Sequence, residues 1–324
     1  MNIVLDRSKI SKFQSTIALL ILCIALSLLS DKFLTVDNGW NVLRQISVNI
    51  CISVGMTLVV LTSGIDLSVG SVLAFSGAVA AGLLKSGLSF PDNDLFVGFT
   101  LLGTILAGIA TGAFLGFFNG WVITKFKVPP FVATLAMLTV ARGFTMLWTK
   151  GYPISSLGTD FALIGTGWFL GIPILVWIAV VVVVAAMIIA NKTALGRYIY
   201  AIGGNENAAI LSGINSNKVK IIVYTLAGAL AAIGGIMVTS RLDSAQPNAG
   251  MSYELDAIAA VVIGGTSLSG GRGTIIGTVL GAIIIGVLNN GLVLLDVSPF
   301  WQQVVKGLVI LLAVMIDKAN SKAE

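Results

Sequence analysis

Ten apolar stretches divide this chain and leave little between them. They cover roughly 13–30, 46–62, 66–84, 95–123, 131–149, 171–190, 219–239, 253–269, 274–296 and 299–317. A helix of about 20 apolar residues rises ~30 Å, the thickness of a bilayer's hydrocarbon core. Charged residues make up only 10% of the 324, against about 25% in a soluble domain, too few to cover a surface that faces water. The expected fold is an all-α polytopic membrane protein of about ten transmembrane helices, one domain over 1–324. The stretch 95–123 overshoots a bilayer. The stretch 253–269 opens with Glu254 and Asp256 and closes in Gly264-Gly265-Thr266, so a re-entrant half-helix is the alternative to a crossing there. Residues 13–30 follow Arg7, Lys9 and Lys12 as a cleaved leader would, but no small-residue cleavage site precedes Asp31, and a retained first helix is expected.

Loop charge sets the orientation. With ten crossings and both termini cytoplasmic, the inner segments hold twelve Lys and Arg, among them Lys125, Lys127, Lys192, Arg197, Lys218, Lys220 and Arg272. The outer segments hold five: Lys32, Arg44, Lys85, Lys150 and Arg241. That excess follows the positive-inside rule; if 253–269 did not cross, Lys318 and Lys322 would move outside. The net charge of +5 is read the same way, and no nucleic acid is expected as a partner; lipid is. Residues 31–45 read as an interfacial lead-in, with Trp40 at headgroup level.

Several chemistries find no support. There is no His, and Cys23 and Cys51 lie in apolar stretches, so neither a disulfide nor a metal site is expected. No Gly-Lys dipeptide occurs, which excludes a P-loop; Gly270-Gly271-Arg272-Gly273 reads as a tight turn. No nucleophile–base pair suggests an enzyme. A proton- or sodium-coupled carrier needs in-membrane carboxylates or cation cages, and Asp66 alone is thin support for one.

Small residues recur every fourth position at Gly108/Gly112/Gly116/Gly120, at Gly273/Gly277/Gly281 and at Ala227/Ala231/Gly235, a spacing that lines one helix face for close packing. Among polar groups in apolar stretches, Arg142 should face protein or water, with Asp66 as a possible partner, and Lys306 could snorkel outward. Asp66, Asn49, Asn289 and Gln302 are candidates to line a path for a neutral polyol, or else to bond neighbouring helices. In the loop 191–218, Asn205 is a good N-cap, Glu206 suits a first turn and Gly213 a C′ position. A two-turn helix between them reads either as a docking knob or as an ordinary loop helix. Val59–Gly64 and Val261–Thr266 echo one another, too briefly to claim a repeat.

At particular residues the chain resembles a known family. Ser63-Gly64-Ile65-Asp66-Leu67-Ser68-Val69-Gly70-Ser71, Leu195-Gly196-Arg197-Tyr198 with Gly203-Gly204-Asn205, and Tyr253-Glu254-Leu255-Asp256-Ala257 through Gly264-Gly265-Thr266-Ser267-Leu268 look like the signatures of monosaccharide permeases of ATP-binding-cassette importers. The resemblance covers nearly the whole chain, is weakest in the first dozen residues and near 85–95, and is nearest to the ribose-carrying branch. It implies an inner-membrane homodimer around a central path. A periplasmic sugar-binding protein would deliver cargo, and a separate cytoplasmic ATPase would hold ATP and Mg, leaving no cofactor in this chain. It also implies that Gly203, Gly204, Asn205, Glu206, Ala209, Leu211 and Gly213 form the coupling segment seated in that ATPase. A stand-alone secondary sugar carrier is the alternative.

Overall fold

The computed structural model describes residues 7–90 and 95–322, so part of the weakly matching stretch near 85–95 falls outside it. The side chains of Arg7, Lys9, Lys12, Lys318 and Lys322 also lie outside the described residues. Thirteen helices are described: α1 (Arg7–Leu29), α2 (Val36–Leu61), α3 (Val69–Ser86), α4 (Leu101–Phe126), α5 (Pro130–Thr149), α6 (Thr159–Thr166), α7 (Ile174–Lys192), α8 (Ala194–Gly204), α9 (Glu206–Leu211), α10 (Ser216–Arg241), α11 (Tyr253–Ile263), α12 (Ile275–Leu294) and α13 (Pro299–Lys322). Seven of them, α2, α3, α4, α5, α7, α10 and α12, are long and apolar enough to cross a membrane; Ser15–Leu29 and Pro299–Leu312 add shorter apolar helical stretches.

The helices differ in how far they are enclosed. Within their most apolar windows α2 and α3 are 72% buried and α12 67%, whereas α4, α5 and α7 are only 28% buried. The first group forms the middle of the bundle. The second turns residues such as Phe114, Leu135 and Val181 outward, where lipid is the favourable surrounding.

Small residues set the central contacts. A β-carbon at Gly112 or Gly116 would overlap the carbonyl of Gly228 or Tyr224, and one at Gly281 that of Ala260. The glycine stripes of α4 and α12 therefore pack inside this chain, onto α10 and α11.

Hydrogen bonds fix two ends of the bundle. At the upper end, the side chains of Asn38 and Asn290 bond one another, Arg241 donates to Asn41, and Trp40 meets Trp168 edge-on at 5.1 Å. At the lower end, the Gly271 N–H donates to Leu61 O at 3.1 Å and Ser63 Oγ to Ser269 O at 2.8 Å. α2 thus runs downward, α10 upward and α12 upward. Among the described residues three short antiparallel pairings, the hairpins of β1 (Leu88–Phe90) with β2 (Leu95–Val97) and of β4 (Trp168–Phe169) with β5 (Ile172–Pro173) and the long-range pair of β3 (Ile154–Ser155) with β6 (Ser244–Ala245), break the expected all-helical pattern.

Two departures from the sequence reading shape the interior. Residues 62–68, of which Thr62 and 66–68 fall within the apolar stretches, form a non-helical link, and α3 begins only at Val69. The stretch 253–269 yields an 11-residue helix, a rise of about 16 Å and half a bilayer. Yet the chain passes from Arg241 at the upper end to Gly271 at the lower end, so helix and the non-helical segment 242–252 cover the distance together. α3 and α11 thus start inside the bundle, from opposite directions, and the start of α3 touches the link into α11 there: a β-carbon on Gly70 would overlap Gly250 O, and one on Gly250 would overlap Gly70 O. The arrangement of α2, α3, α4 and α5 recurs upside down in α10, α11, α12 and α13, with α3 packed on α4 and α5 as α11 is on α12 and α13. Inverted halves with broken helices meeting at mid-depth are a transporter architecture.

The echo of Val59–Gly64 in Val261–Thr266 is one turn built twice. Gly64 N–H bonds Val59 O and Ser63 N–H bonds Val60 O, while Thr266 N–H bonds Val261 O and Gly265 N–H bonds Val262 O. With Ser63 at φ +60° and Gly265 at +81°, both are Schellman caps.

Candidate functional site

The lower end carries a capped knob. Asn205 Oδ1 accepts the Ala208 N–H at 3.0 Å, and Gly213 at φ +86° closes α9 as Ile214 N–H bonds Ala209 O and Gly213 N–H bonds Ile210 O. Glu206 is more than a dipole partner. Its Oε1 accepts from Lys220 Nζ at 2.6 Å and from Ser216 Oγ at 2.5 Å, tying α9 to the first turns of α10. Burial pushes the Glu206 carboxyl up, but the hydrogen bonds from Lys220 and Ser216 and the charge of Lys220 leave it below its ordinary value.

Within α9, Ala209 is buried, so its methyl packs against the protein; the large apolar side chains turned outward are Ile210 and Leu211, 51% and 88% exposed. Gly203 and Gly204, read as loop, end α8, an 11-residue helix with Ile199 and Ile202 buried and Tyr198 exposed. A β-carbon on Gly203 would overlap Leu61 O and Gly271 N, and Tyr200 OH donates to Gly273 O at 2.9 Å. α8, which leads into the knob, therefore stands directly on the turns that end α2 and precede α12.

Nearer the upper end, Asn49, Asn289 and Gln302 come together, with Gln45, Tyr253, Asp256, Val293 and Lys306, around a cavity of about 80 Å³. Lys306 does not snorkel: its Nζ lies 3.0 Å from Asp256 Oδ2, and Asp256 is 4% exposed. Asn289 Nδ2 reaches the same oxygen at 3.4 Å, while Asn289 Oδ1 is buried with no hydrogen-bond partner.

Asp66 is placed elsewhere, in the link before α3. Its Oδ1 accepts from Ser68 N and Oγ at 2.9 and 2.6 Å, and Asn119 Nδ2 donates to Ser68 Oγ at 3.0 Å. It does not pair with Arg142. Arg142 Nη1 instead donates to Pro247 O at 2.7 Å and Ala249 O at 2.8 Å, holding the link before α11.

This geometry belongs to a known lineage. A model of the family described as branched-chain amino acid transport system / permease component matches residues 39–314. The ribose import permease protein of Haemophilus influenzae is 52% identical over 308 residues, 94% of this chain and 92% of that protein. This chain belongs to that permease family. The ribose import permease protein of Bacillus subtilis is also 52% identical, over 307 residues and the same shares of both chains. A xylose transport system permease protein of Haemophilus influenzae is 35% identical over 368 residues, 94% of this chain and 96% of that protein. No solved structure matches the chain.

Sequence reasoning missed three parts of this permease's polar interior: Asp256 as the partner of Lys306, Tyr253 beside them, and the backbone carbonyls that hold Arg142. The available signal was charge economy. Asp256, Arg142 and Lys306 each sit in apolar sequence, where an ionised group needs a partner.

Proposed function

We propose that this permease is the membrane-spanning translocation subunit of an ATP-binding-cassette importer in the inner membrane, carrying ribose or a closely related monosaccharide into the cytoplasm. The observation that carries this reading is the 52% identity to ribose import permeases across nearly the full length of both chains, against 35% to a xylose permease. The lower end is the cytoplasmic one. Lys125, Lys127, Lys192, Arg197, Lys218, Lys220 and Arg272 gather there, as the positive-inside rule requires. Ten passages of the chain then put both termini in the cytoplasm, with 242–263 as one composite passage.

A cytoplasmic ATPase, holding ATP and Mg, receives the knob of α9 through Ile210 and Leu211. Asn205, Glu206 and Gly213 shape the knob, Ala209 packs beneath it, and Gly203 and Gly204 join it to the bundle. A sugar-binding protein docks at the upper end, and a second copy completes the path. Asn49, Asn289 and Gln302 face that path near its outer end, and Asp66 stands near its inner end.

The test is uptake in proteoliposomes holding this chain, its ATPase and its sugar-binding protein. Labelled ribose should accumulate only with ATP, and faster than xylose. Accumulation without the ATPase would restore the stand-alone carrier. Topology is tested with single cysteines, Cys23 and Cys51 being replaced. Asn248→Cys, on an exposed residue, should react with an impermeant thiol reagent from outside, and Ser269→Cys only from the cytoplasm. Ser269 is preferable to Gly270, which is left-handed and closed in by Ser63.

A further inference from the structure

We propose that the cavity between α2, α11, α12 and α13 is a hydroxyl-binding station for the sugar in transit, an assignment that rests on the sugar-importer reading above. Its charges cancel. Lys306 Nζ and Asp256 Oδ2 are 3.0 Å apart, so the site as a whole attracts neither cation nor anion. What remains around it is neutral: the amides of Asn49, Asn289 and Gln302 and the ring of Tyr253. Asn289 is 5% exposed, and its Oδ1 accepts no hydrogen bond from the protein. An acceptor at that depth without a donor is costly to keep, and a hydroxyl is the donor that fits it. Sugar hydroxyls donate and accept at once, as carboxamides do, so adjacent hydroxyls of a neutral polyol match adjacent amides.

The position suits passage. Tyr253 and Asp256 lie in the first turns of α11, which starts inside the bundle, so their polar groups are presented at depth. The Asp66–Ser68–Asn119 group offers no such room, since its bonds are made within the protein. At about 80 Å³ the cavity has space for several waters and is well below the ~300 Å³ at which small-molecule pockets begin. A pentose enters only if α13 draws away from α11, and the Asp256–Lys306 pair is the contact such a movement opens. The station therefore binds weakly in this conformation and fully in an opened one.

The experiment uses the complete importer in proteoliposomes, with Cys23 and Cys51 replaced and a single cysteine at Val293, which lines the cavity without supplying a polar atom. A small methanethiosulfonate reagent is timed with saturating D-ribose, with the same concentration of NaCl, and with neither, during ATP turnover. Ribose should slow modification of Val293→Cys about tenfold, and NaCl should not. Adding Asn289→Leu should abolish the protection and cut ribose uptake about tenfold, the effect of one lost hydrogen bond of ordinary strength, at an unchanged amount in the membrane. If Asn289→Leu does not reach the membrane, the ribose protection of Val293→Cys alone decides. Equal rates with and without ribose, in an importer that takes up ribose, overturn the station, and so does protection by NaCl. An importer that takes up no ribose overturns the functional reading, and the station falls with it.

Discussion

Two links lead into α3 and α11, and they are held by different chemistry. The link before α3, Thr62–Ser68, is short and secured by neutral or local bonds: Ser68 to Asp66, Asn119 to Ser68, and Thr134 Oγ1 to Ile65 O at 3.2 Å. The link before α11, Leu242–Ser252, is longer and gripped by cations from two helices, Arg142 of α5 on its carbonyls and Lys306 of α13 on Asp256 just beyond it. In the inverted arrangement α5 and α13 are counterparts. Both open with Pro-Phe and both place a basic residue before an exposed glycine, Arg142-Gly143 and Lys306-Gly307. Yet both grip the same link. One half of the permease is thus closed by bonds that involve no cation and the other by cations, and charge is what a change in hydration or spacing alters most.

The sharpest break of this contrast is Lys306→Met. It leaves Asp256 buried without its cation and should cost about 3–5 kcal/mol, seen as a large drop in the thermal midpoint in detergent. The double variant Lys306→Met with Asp256→Leu should recover most of that, because no charge is left unpaired; a double variant as unstable as the single would mean that the pair is not the grip. Arg142→Leu should cost about 3 kcal/mol through two lost charge-assisted bonds, and Asn248→Cys in that background should label faster. Unchanged labelling would remove Arg142 from the link.

The other half should respond weakly. Asp66→Asn keeps an acceptor at Oδ1 and abandons no cation, so about 1 kcal/mol is expected. A loss equal to that of Lys306→Met would erase the contrast. The smallest effect falls outside both links. Glu206→Gln should cost about 0.5 kcal/mol, because Glu206 is 42% exposed and solvent screens its pair with Lys220. Its carboxyl is held below the ordinary 4.5, so its contribution is present above that pH and is lost as pH falls through the lower folded value. Amide exchange in α9 should therefore rise in acid in the parent and change little in Glu206→Gln.

Most of the helical skeleton was legible because lipid demands continuous apolar sequence. Stretches 131–149 and 274–296 fall within two residues of α5 and α12. The caps of α9 could be read from Asn205 and Gly213, since a cap depends on neighbours in sequence. What was hidden depends on distant partners. Residues 66–68 open an apolar stretch, and only Asp66, Ser68 and Asn119 together show why they are not helical. The stretch from 95 begins in a strand of a hairpin rather than in α4, and Trp40 lies in a continuous α2 rather than in a separate lead-in. Arg197 and Tyr198 made α8 look like loop. Lys306 looked free because Asp256 is 50 residues away, and the outward face of α9 could not be read because helix phase in six residues is undecided until the fold fixes it.

The junction at Gly203 has a mechanical consequence. Elements coupled in series yield at their softest member, and in proteins that member is usually a side chain, which can change rotamer and absorb displacement. At the Gly203 contact itself there is none: Gly203 sits against Leu61 O and Gly271 N, and Gly271 N–H bonds Leu61 O. Stiffness there is that of peptide planes and hydrogen bonds. A displacement of an ångström applied at Gly203 has no compliant layer in which to dissipate, so the three backbones that meet there must move as one or separate outright.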